Sequence, residues 1–426
     1  MSNEPPVSSP PLRILWVKSG PLLPANTGGR IRTHQMLRAM NRQHEVTFFA
    51  QRDTTQPDDE DKPGADYARR RIFTKWRDAP RGSAKFIFGV LMNQFMSPMP
   101  YALWKYASAK FDRHLRKMDG SGEYDLVVCD FLTPAQSFSP YGSKTPCVIF
   151  QHNVEALIWE RMAENEKRPL AKLYLQLQHK RMEWWEKILC GRFNGVITVS
   201  PEDSKLCRER YGLKNVLGDV PAGVDVEYFA KVRATPAEDQ VIGFLGSMDW
   251  LPNIEGVRWF IEQALPQVRK SLPQAKVLVI GRNPPESLRQ LAKGDPLIEF
   301  TGTVKDVRPH LARCSVMAVP LLSGGGTRIK LLEIMAAGRA VVSTTVGAEG
   351  LGLVHQRHLL LADQPESFAA SVISLLQNPA QTQTLSQQAY DEAACPQSWQ
   401  AASERFIALA RKVVKPRSTE VKPEEI

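Results

Sequence analysis

The sequence predicts an α/β protein with two doubly wound domains that face a central cleft. At 426 residues the chain is too long for one ordinary core. Short apolar runs alternate with amphipathic stretches in two successive series, a pattern typical of parallel sheets covered by helices on both faces. Hydrophobic residues make up 43% of the chain and charged residues 23%, as in ordinary globular domains. No apolar run reaches the roughly 18 residues of a membrane span.

The first series defines an N-terminal domain over 12–214. Because strands buried on both faces read as continuous apolar runs, we place five strands at 13–18, 46–50, 126–129, 147–150 and 195–199. Helical periodicity predicts helices at 31–40 and 170–189. Residues 1–11, which are rich in Pro, Ser and charge, are predicted to form a disordered tail.

The second series defines a C-terminal domain over 241–396. Its predicted strands are 241–245, 276–280, 298–301, 316–320 and 340–343, and its predicted helices are 254–270, 306–312 and 327–337. The remaining segments are a linker at 215–240, a helix at 397–414 that packs back toward the N-terminal domain, and a disordered tail at 415–426. Ligands of such folds bind beyond the carboxyl ends of the strands, so we expect both domains to contribute to one cleft.

The segment 323–342 predicts an anion site at the start of a helix. It begins with three glycines, Gly324, Gly325 and Gly326. Thr327 is a candidate helix cap, whereas Arg328 and Lys330 fall in the first turn, where the helix dipole disfavours cations by roughly 0.3–1 kcal/mol each. A bound phosphate or diphosphate removes that cost. The alternative is an ordinary glycine-rich loop with two solvated basic side chains.

A second glycine pair, Gly28 and Gly29, follows the first strand and opens a helix. Paired glycines let the backbone approach a ligand closely and leave helix amides available to an anion. The pair is not part of a G-x-G-x-x-G motif, which excludes the usual nicotinamide fingerprint. The alternative is a tight turn between a strand and a helix.

Four longer segments carry a family resemblance. They are GGRIRTHQMLRAMNRQHEVT at 28–47, VPAGVDVEYF at 220–229, VIGFLGSMDWLPN at 241–253 and LLEIMAAGRAVVSTTVGAEGL at 331–351. In these segments the chain resembles the group 1 glycosyltransferases, retaining enzymes that use nucleotide sugars and have two Rossmann-like domains, the GT-B architecture. The resemblance extends from residue 13 to about 412.

The resemblance implies roles for several donor-side residues. Glu333 matches the second acid of the E-x7-E motif, which binds the nucleotide ribose, whereas Gly325 stands where the first acid is usual. Ser247 and Asn253 stand near the positions where the family usually has Arg and Lys for the donor diphosphate. We therefore expect that Arg328 and Lys330 supply the relocated positive charge. Arg282, after the strand VLVIG, is a further candidate for the nucleotide.

On the acceptor side, Asp130 stands where the family often has a cleft histidine, and His152 follows the next strand in FQHNVE. We expect His152, Asn153 and Glu155 to contact acceptor hydroxyls. The resemblance implies front-face attack, in which the departing phosphate oxygen takes the acceptor proton. A dedicated base such as Asp130 remains an alternative.

Charge and cysteine usage bear on the partners of the chain. Its net charge is +10, and residues 67–117 alone carry twelve Lys/Arg, two Asp and ten aromatic residues. Basic and large apolar side chains together suit an anionic membrane surface, although they also suit a helical region with core aromatics. Nucleic acid is not expected, because no nucleic-acid motif accompanies the charge. The six separated cysteines indicate reduced thiols in the cytoplasm, and no metal or other cofactor is expected.

The sequence therefore predicts a cytoplasmic glycosyltransferase, associated with the inner face of the membrane, that makes a polysaccharide or glycolipid. Its donor is a nucleotide sugar and its acceptor is a saccharide or a lipid-linked saccharide. Two alternatives stay open. One is a nucleotide-sugar epimerase, which shares the two-domain plan; the other is a non-catalytic nucleotide-sugar-binding partner of another transferase.

Overall fold

Two parallel sheets form the framework of the protein. A computed structural model describes residues 10–25, 27–54, 66–77, 79–80, 82–138, 143, 145–324, 328–394 and 396–414. In these residues one sheet has seven strands and the other has six. Each sheet grows to one side of its first strand and then, after a crossover, to the other side, as in doubly wound folds; the order is β3-β2-β1-β4-β5-β6-β7 in the first sheet and β10-β9-β8-β11-β12-β13 in the second, with the strands numbered along the chain and their bounds given next. The predicted fold class is confirmed.

The strands of the first sheet are β1 (Arg13–Lys18), β2 (Glu45–Asp53), β3 (Arg70–Trp76), β4 (Leu126–Asp130), β5 (Cys147–Phe150), β6 (Gly195–Thr198) and β7 (Val216–Asp219). Those of the second sheet are β8 (Val241–Leu245), β9 (Lys276–Ile280), β10 (Ile298–Phe300), β11 (Val316–Val319), β12 (Ala340–Ser343) and β13 (Leu360–Leu361). The central strands are buried along nearly their whole length, which is why they read as apolar runs.

The helices of the first half are α1 (Gly28–Met40), α2 (Ala84–Met96), α3 (Tyr101–Trp104), α4 (Ala109–Asp119), α5 (Glu155–Asn165), α6 (Pro169–Gly191), α7 (Pro201–Glu209) and α8 (Val226–Arg233). Those of the second half are α9 (Leu251–Trp259), α10 (Leu265–Ser271), α11 (Glu286–Leu291), α12 (Arg308–Arg313), α13 (Ile329–Ala336), α14 (Pro365–Gln377), α15 (Pro379–Ala389) and α16 (Trp399–Ala410). A π-helical turn at Phe260–Ala264 joins α9 to α10.

The chain passes between the domains twice. Residues 215–240, expected to be a linker, contain β7, which is the edge strand of the first sheet, and α8. The final helix, α16, packs on the N-terminal domain, where the Phe406 ring lies 5.4 Å from Trp16 and 5.1 Å from Phe150. The proposed tails at 1–11 and 415–426 lie almost wholly outside the described residues.

The basic, aromatic segment 67–117 contains β3 and three helices, α2, α3 and α4. Several of its aromatic rings are packed: Phe111 stacks on Phe49 and Trp76 stacks on Tyr106. Helix α2, by contrast, turns large apolar side chains to solvent. Among the described residues, no helix is long and apolar enough to cross a membrane.

Candidate active site between the two sheets

Asp130 is the centre of a buried polar cluster where β1 and β4 end. Lys18 and Asp130 are register partners on these neighbouring strands. The Asp130 carboxylate accepts hydrogen bonds from Lys18 Nζ at 2.8 Å and from Thr33 Oγ1 at 2.7 Å. Burial opposes its ionisation, but Lys18 and His152 together outweigh burial and hold the pKa of Asp130 well below its usual range. Asp130 is therefore a fixed anion.

His152 lies against this anion and reaches the glycine pair. Its Nε2 is 2.7 Å from Asp130 Oδ1, and its ring packs edge-on against Phe131 and Phe150. Burial lowers the pKa of His152 to about 4, although Asp130 opposes the shift. The ring is thus neutral at pH 7. Its Nδ1 faces Gly29, where an added Cβ would lie 3.5 Å away.

Gly28 and Gly29 bring the N-terminal domain against the C-terminal one. They open α1, which has no acidic residue in its first turn. A Cβ on Gly28 would lie 3.9 Å from Ile329 Cδ1, the first residue of α13. The start of α1 in one domain therefore faces the start of α13 in the other.

Glu155 begins α5 two residues after Asn153, close to His152, and a residue that sequence reasoning missed holds this helix start. Glu186 of α6 accepts hydrogen bonds from the backbone N–H groups of Glu155 at 2.8 Å and Ala156 at 3.0 Å, and from the Tyr211 hydroxyl at 2.7 Å. Burial raises the pKa of Glu155 and of Glu186 to about 7, and Glu186 adds to the shift at Glu155. Asn153 Nδ2 donates to Glu155 Oε1 at 3.4 Å.

On the opposite side of the cleft, Lys330 projects to the end of β8. Its Nζ donates to Asn253 Oδ1 at 2.6 Å and lies 4.9 Å from the centre of the Phe244 ring. A Cβ on Gly246, the residue after β8, would lie 3.0 Å from Nζ. Burial, with Arg328 adding to it, lowers the pKa of Lys330 to about 7. The ammonium thus stands beside the strand end, next to Asn253.

Ser247 and Arg282 join the same cluster. Ser247 accepts through its carbonyl from Asn253 Nδ2 at 2.7 Å, and its hydroxyl accepts from Arg282 Nε at 3.1 Å. Arg282 also pairs with Asp249 at 2.6 Å. Ser247, Arg282, Asn253 and Lys330 therefore form one connected polar edge after β8 and β9.

Arg328 is buried just before α13 and is turned toward the loop 346–349. It is 3% exposed, and it donates to the Val346 carbonyl from Nε at 3.3 Å and from Nη2 at 3.1 Å. Burial lowers its pKa to about 10, and Glu349, 4.0 Å away, opposes the shift. Gly324 has a φ of 114°, and a Cβ there would lie 3.3 Å from Arg328 Nη1 and 2.7 Å from the Trp250 ring.

Between Gly324 and Arg328, the residues Gly325, Gly326 and Thr327 lie outside the described part of the chain. The proposed Thr327 cap and the proposed backbone contacts of the two glycines therefore remain predictions. After the helix, Gly338 has a φ of 66°, the left-handed conformation expected of a residue that ends a helix.

Arg161 is a second residue that sequence reasoning missed. From α5 it crosses the cleft, donates to the Gly324 carbonyl, and forms a two-pronged ion pair with Glu349 at 3.0 and 3.1 Å. Its only signal in the sequence is a basic residue on a predicted helix, which does not reveal a partner 188 positions away. Gly324 and Glu349 of the C-terminal domain are thus contacted by a residue of the N-terminal domain.

Glu333, on α13, is half-buried and makes no side-chain hydrogen bond in the part of the chain that the structure describes. Burial raises its pKa to about 7, and Lys330 opposes the shift. Burial raises the pKa of the Tyr228 hydroxyl, and the negative charge of Glu333 adds to this increase. A half-buried carboxyl group without a partner is available for a ligand that donates hydrogen bonds.

Two doubly wound domains that present their strand ends and helix starts to one cleft define the GT-B class of glycosyltransferases. Residues 27–228 match the sequence model of Glycosyltransferase Family 4, and residues 239–378 match that of Glycosyl transferases group 1. The chain belongs to the group 1 glycosyltransferases and is a glycosyltransferase. The resemblance inferred from the sequence is confirmed.

Among curated proteins, the chain is 21% identical over 377 residues to an uncharacterized 44.6 kDa protein in the cps region of Klebsiella pneumoniae, with 86% of this chain and 91% of that protein aligned. It is 32% identical over 169 residues to phosphatidyl-myo-inositol mannosyltransferase of Mycolicibacterium smegmatis. That second alignment covers 38% of this chain and 43% of the mannosyltransferase, less than half of either protein.

Solved structures share the fold at low identity. Sucrose-phosphate synthase from Thermosynechococcus elongatus superposes with a TM-score of 0.67 at 18% identity, with 94% of this chain and 98% of that one covered. HepE of Anabaena, in complex with UDP and glucose, superposes with a TM-score of 0.63 at 14% identity, with 93% and 98% covered.

Proposed function

We propose that the protein transfers a sugar from a nucleotide-sugar donor to a saccharide or lipid-linked acceptor, with retention of the anomeric configuration, in polysaccharide or glycolipid biosynthesis. The observation that carries the proposal is the position of Lys330. Its ammonium stands beside Gly246 and Asn253, at the strand end where relatives usually place the cations for the donor diphosphate. HepE of Anabaena was solved with UDP-glucose bound, which supports a nucleotide sugar as donor.

Lys330 and Arg328 together stabilise the leaving diphosphate in this proposal. As the bond to the anomeric carbon breaks, negative charge grows on the β-phosphate, and fixed cations in a partly dry site lower the energy of that state. Lys330 already points at the strand end, whereas Arg328 donates to the Val346 carbonyl. Arg328 therefore has to turn from that carbonyl toward the phosphate when the donor binds.

The nucleotide occupies the edge after β8 and β9. Glu333 accepts hydrogen bonds from the ribose hydroxyls, since its carboxyl group is half-buried and has no partner among the described residues. Ser247 and Arg282 lie on the same edge and contact the nucleotide or its phosphates. Gly28, Gly29 and Gly324 leave room for the backbone to approach the donor.

The acceptor binds on the N-terminal side, beside His152. The departing phosphate oxygen takes the proton of the acceptor hydroxyl, and the protein contributes orientation and exclusion of water. Asp130 acts as a positioning residue, because its carboxylate is enclosed by Lys18, Thr33 and His152. Asn153 and Glu155 extend the acceptor surface at the start of α5.

Calorimetric titration with UDP, GDP and their glucose and mannose conjugates tests the donor side. We expect Lys330→Gln to weaken binding of the preferred nucleoside diphosphate by roughly ten- to a hundredfold, the size of a lost charge-assisted contact. Lys293→Gln, an exposed lysine of the same domain, is the matched control and should leave affinity unchanged.

Product analysis tests the chemistry. Incubation of the preferred donor with lipid or saccharide acceptors, followed by NMR of the anomeric proton, should give a product with the donor's anomeric configuration. Inversion would contradict retention. A free sugar epimer would identify an epimerase, and tight donor binding without any turnover would identify a binding protein.

A further inference from the structure

Helix α2 carries its apolar residues on the outside. Phe88, Leu91 and Phe95 recur at helical spacing and form one stripe, and Phe95 is 85% exposed and Phe88 64% exposed. The fully buried residue of the helix is polar: Asn93 donates to the Met99 carbonyl at 2.9 Å. A helix that buries a polar side chain and exposes phenylalanines has its apolar face directed away from the core of this chain.

Helix α6 continues the apolar surface. Leu173, Leu177 and Trp184 lie on one exposed stripe, opposite the stripe that packs inward and that contains Met182 and Glu186. The two helices are joined, since Arg181 donates to the Gln94 carbonyl at 3.2 Å and the Trp185 indole donates to the Pro98 carbonyl at 3.0 Å. The exposed stripes of α2 and α6, which we call the α2–α6 patch, comprise Ile87, Phe88, Leu91, Phe95, Met96, Leu170, Leu173, Leu177 and Trp184.

Lysines stand within and beside the patch. Lys180 and Lys187 fall on the same stripe of α6 as Trp184, and Lys85 lies in the first turn of α2. All three are exposed, and in the described residues none of them pairs with a carboxylate. Apolar side chains flanked by unpaired lysines and an amphipathic tryptophan match the boundary between lipid headgroups and acyl chains.

We propose that the α2–α6 patch docks the protein on an anionic lipid bilayer, with the phenylalanines of α2 inserted among the acyl chains. With 13 residues, α2 is about 20 Å long, which suits a helix lying in the plane of the interface. The sequence predicts a membrane surface within 67–117, whereas the surface proposed here takes only α2 from that segment and adds α6. Binding itself does not depend on the proposed glycosyl transfer.

The patch is also connected to the acceptor side of the cleft. Helix α6 ends near Glu186, which holds the start of α5, and α5 begins beside His152. A bilayer that contacts the exposed face of α6 therefore lies next to α5 and α6, the two helices on the acceptor side of the cleft. This link deepens the proposed function and rests on it, because it favours an acceptor carried in the membrane.

Flotation of the full-length protein with vesicles tests the docking. We expect binding to phosphatidylcholine vesicles that contain phosphatidylglycerol, in the absence of any nucleotide sugar. The double variant Phe88→Ser, Phe95→Ser should lower the vesicle partition coefficient about tenfold or more. Lys180→Gln, Lys187→Gln should weaken binding to anionic vesicles by roughly fivefold per lysine and leave the binding to neutral vesicles unchanged.

Two matched controls and one local readout separate docking from damage to the fold. Val354→Ser removes an apolar side chain that is 50% exposed on the other domain, and Lys293→Gln removes a lysine there; both should bind vesicles as the wild type does. Trp184 fluorescence should be quenched by brominated lipids, and Trp184→Phe should abolish the part of the quenching that comes from the patch.

Three results would overturn the proposal. One is wild-type protein that fails to float with anionic vesicles, and another is a serine double variant that floats as well as the wild type. The third is a dimer in analytical ultracentrifugation that the serine substitutions dissociate, because the patch would then be covered by a second copy. Since none of these measurements uses a sugar donor, their outcome is independent of the outcome of the donor titration.

Discussion

Lys330 is the residue whose protonation matters most for the proposed donor site. Burial places its pKa near 7, far below that of a solvated lysine, because Arg328 is nearby and, in the described residues, no carboxylate lies within hydrogen-bonding distance of the ammonium. A bound diphosphate supplies the missing negative charge. Donor binding and proton uptake by Lys330 are therefore coupled.

The coupling predicts a pH dependence. Because its pKa is about 7, Lys330 has lost most of its proton in the free protein above pH 7.5, and binding of a nucleoside diphosphate has to restore that proton. The affinity should therefore fall by about tenfold per pH unit between pH 7.5 and 9.5. Over the same window the unfolded chain keeps that proton, so this lysine makes the free protein more stable as pH rises toward 10.5. Titration calorimetry at several pH values measures the first effect and urea unfolding the second.

Lys330→Arg is the matched control for that prediction, because a guanidinium stays protonated throughout the window. Its diphosphate affinity should be nearly flat from pH 7.5 to 9.5. If the wild type is as flat as the arginine variant, the ammonium does not contact the diphosphate and the proposed donor site is wrong.

At the scale of helices and strands, the sequence patterns predicted the elements whose residues are mostly buried. The strands 13–18, 147–150, 241–245, 276–280 and 340–343 were predicted with the bounds that they have, because buried apolar residues make up most of each one. Strand β3, RRIFTKW, and strand β7, VLGD, were missed because they are half-exposed edge strands with charged or glycine positions. Contacts such as those of Glu186 depend on how distant helices pack, which periodicity does not record.

The start of α5 illustrates such a contact, and it predicts a stability difference. Glu186→Leu leaves two backbone N–H groups, the Tyr211 hydroxyl and the Gln151 side-chain amide without their acceptor, so we expect a loss of roughly 2–5 kcal/mol in the free energy of unfolding. Glu186→Gln keeps one of the two acceptor oxygens and should cost less stability than Glu186→Leu at pH 7.5. Urea unfolding followed by circular dichroism measures both.

The pH profile of the same unfolding experiment gives the sign of the Glu186 contribution. Since its pKa is raised from 4.5 to about 7, the folded state binds the proton more tightly, and that stabilisation is complete below pH 4.5 and lost as pH rises through 7. Glu186→Gln should remove its share of this slope. An unchanged slope in the glutamine variant would mean that Glu186 is ionised throughout.

At the scale of the whole molecule, contacts across the cleft join the two domains. Gly28 meets Ile329, α16 returns to the first sheet, and Arg161 pairs with Glu349. Glu349 also lies 4.0 Å from Arg328, so the ion pair between the domains touches one of the proposed diphosphate cations. The contact between the domains and the surroundings of Arg328 are thereby linked.

Removal of that ion pair should weaken donor binding more than it slows catalysis. The pair is partly exposed, so Arg161→Ala should change the free energy of unfolding by only about 0–1 kcal/mol. Because the Gly324 carbonyl and Glu349 lose their partner from the other domain, the KM for the donor should rise about three- to tenfold, with a smaller change in kcat. Small-angle scattering should show a larger radius of gyration.

Arg168→Ala, which breaks only the local pair with Glu166, is the control and should change none of these values. In a double-mutant cycle with Glu349→Gln, the effects on KM should be strongly non-additive, and additive effects with unchanged scattering would mean that the pair does not couple the domains.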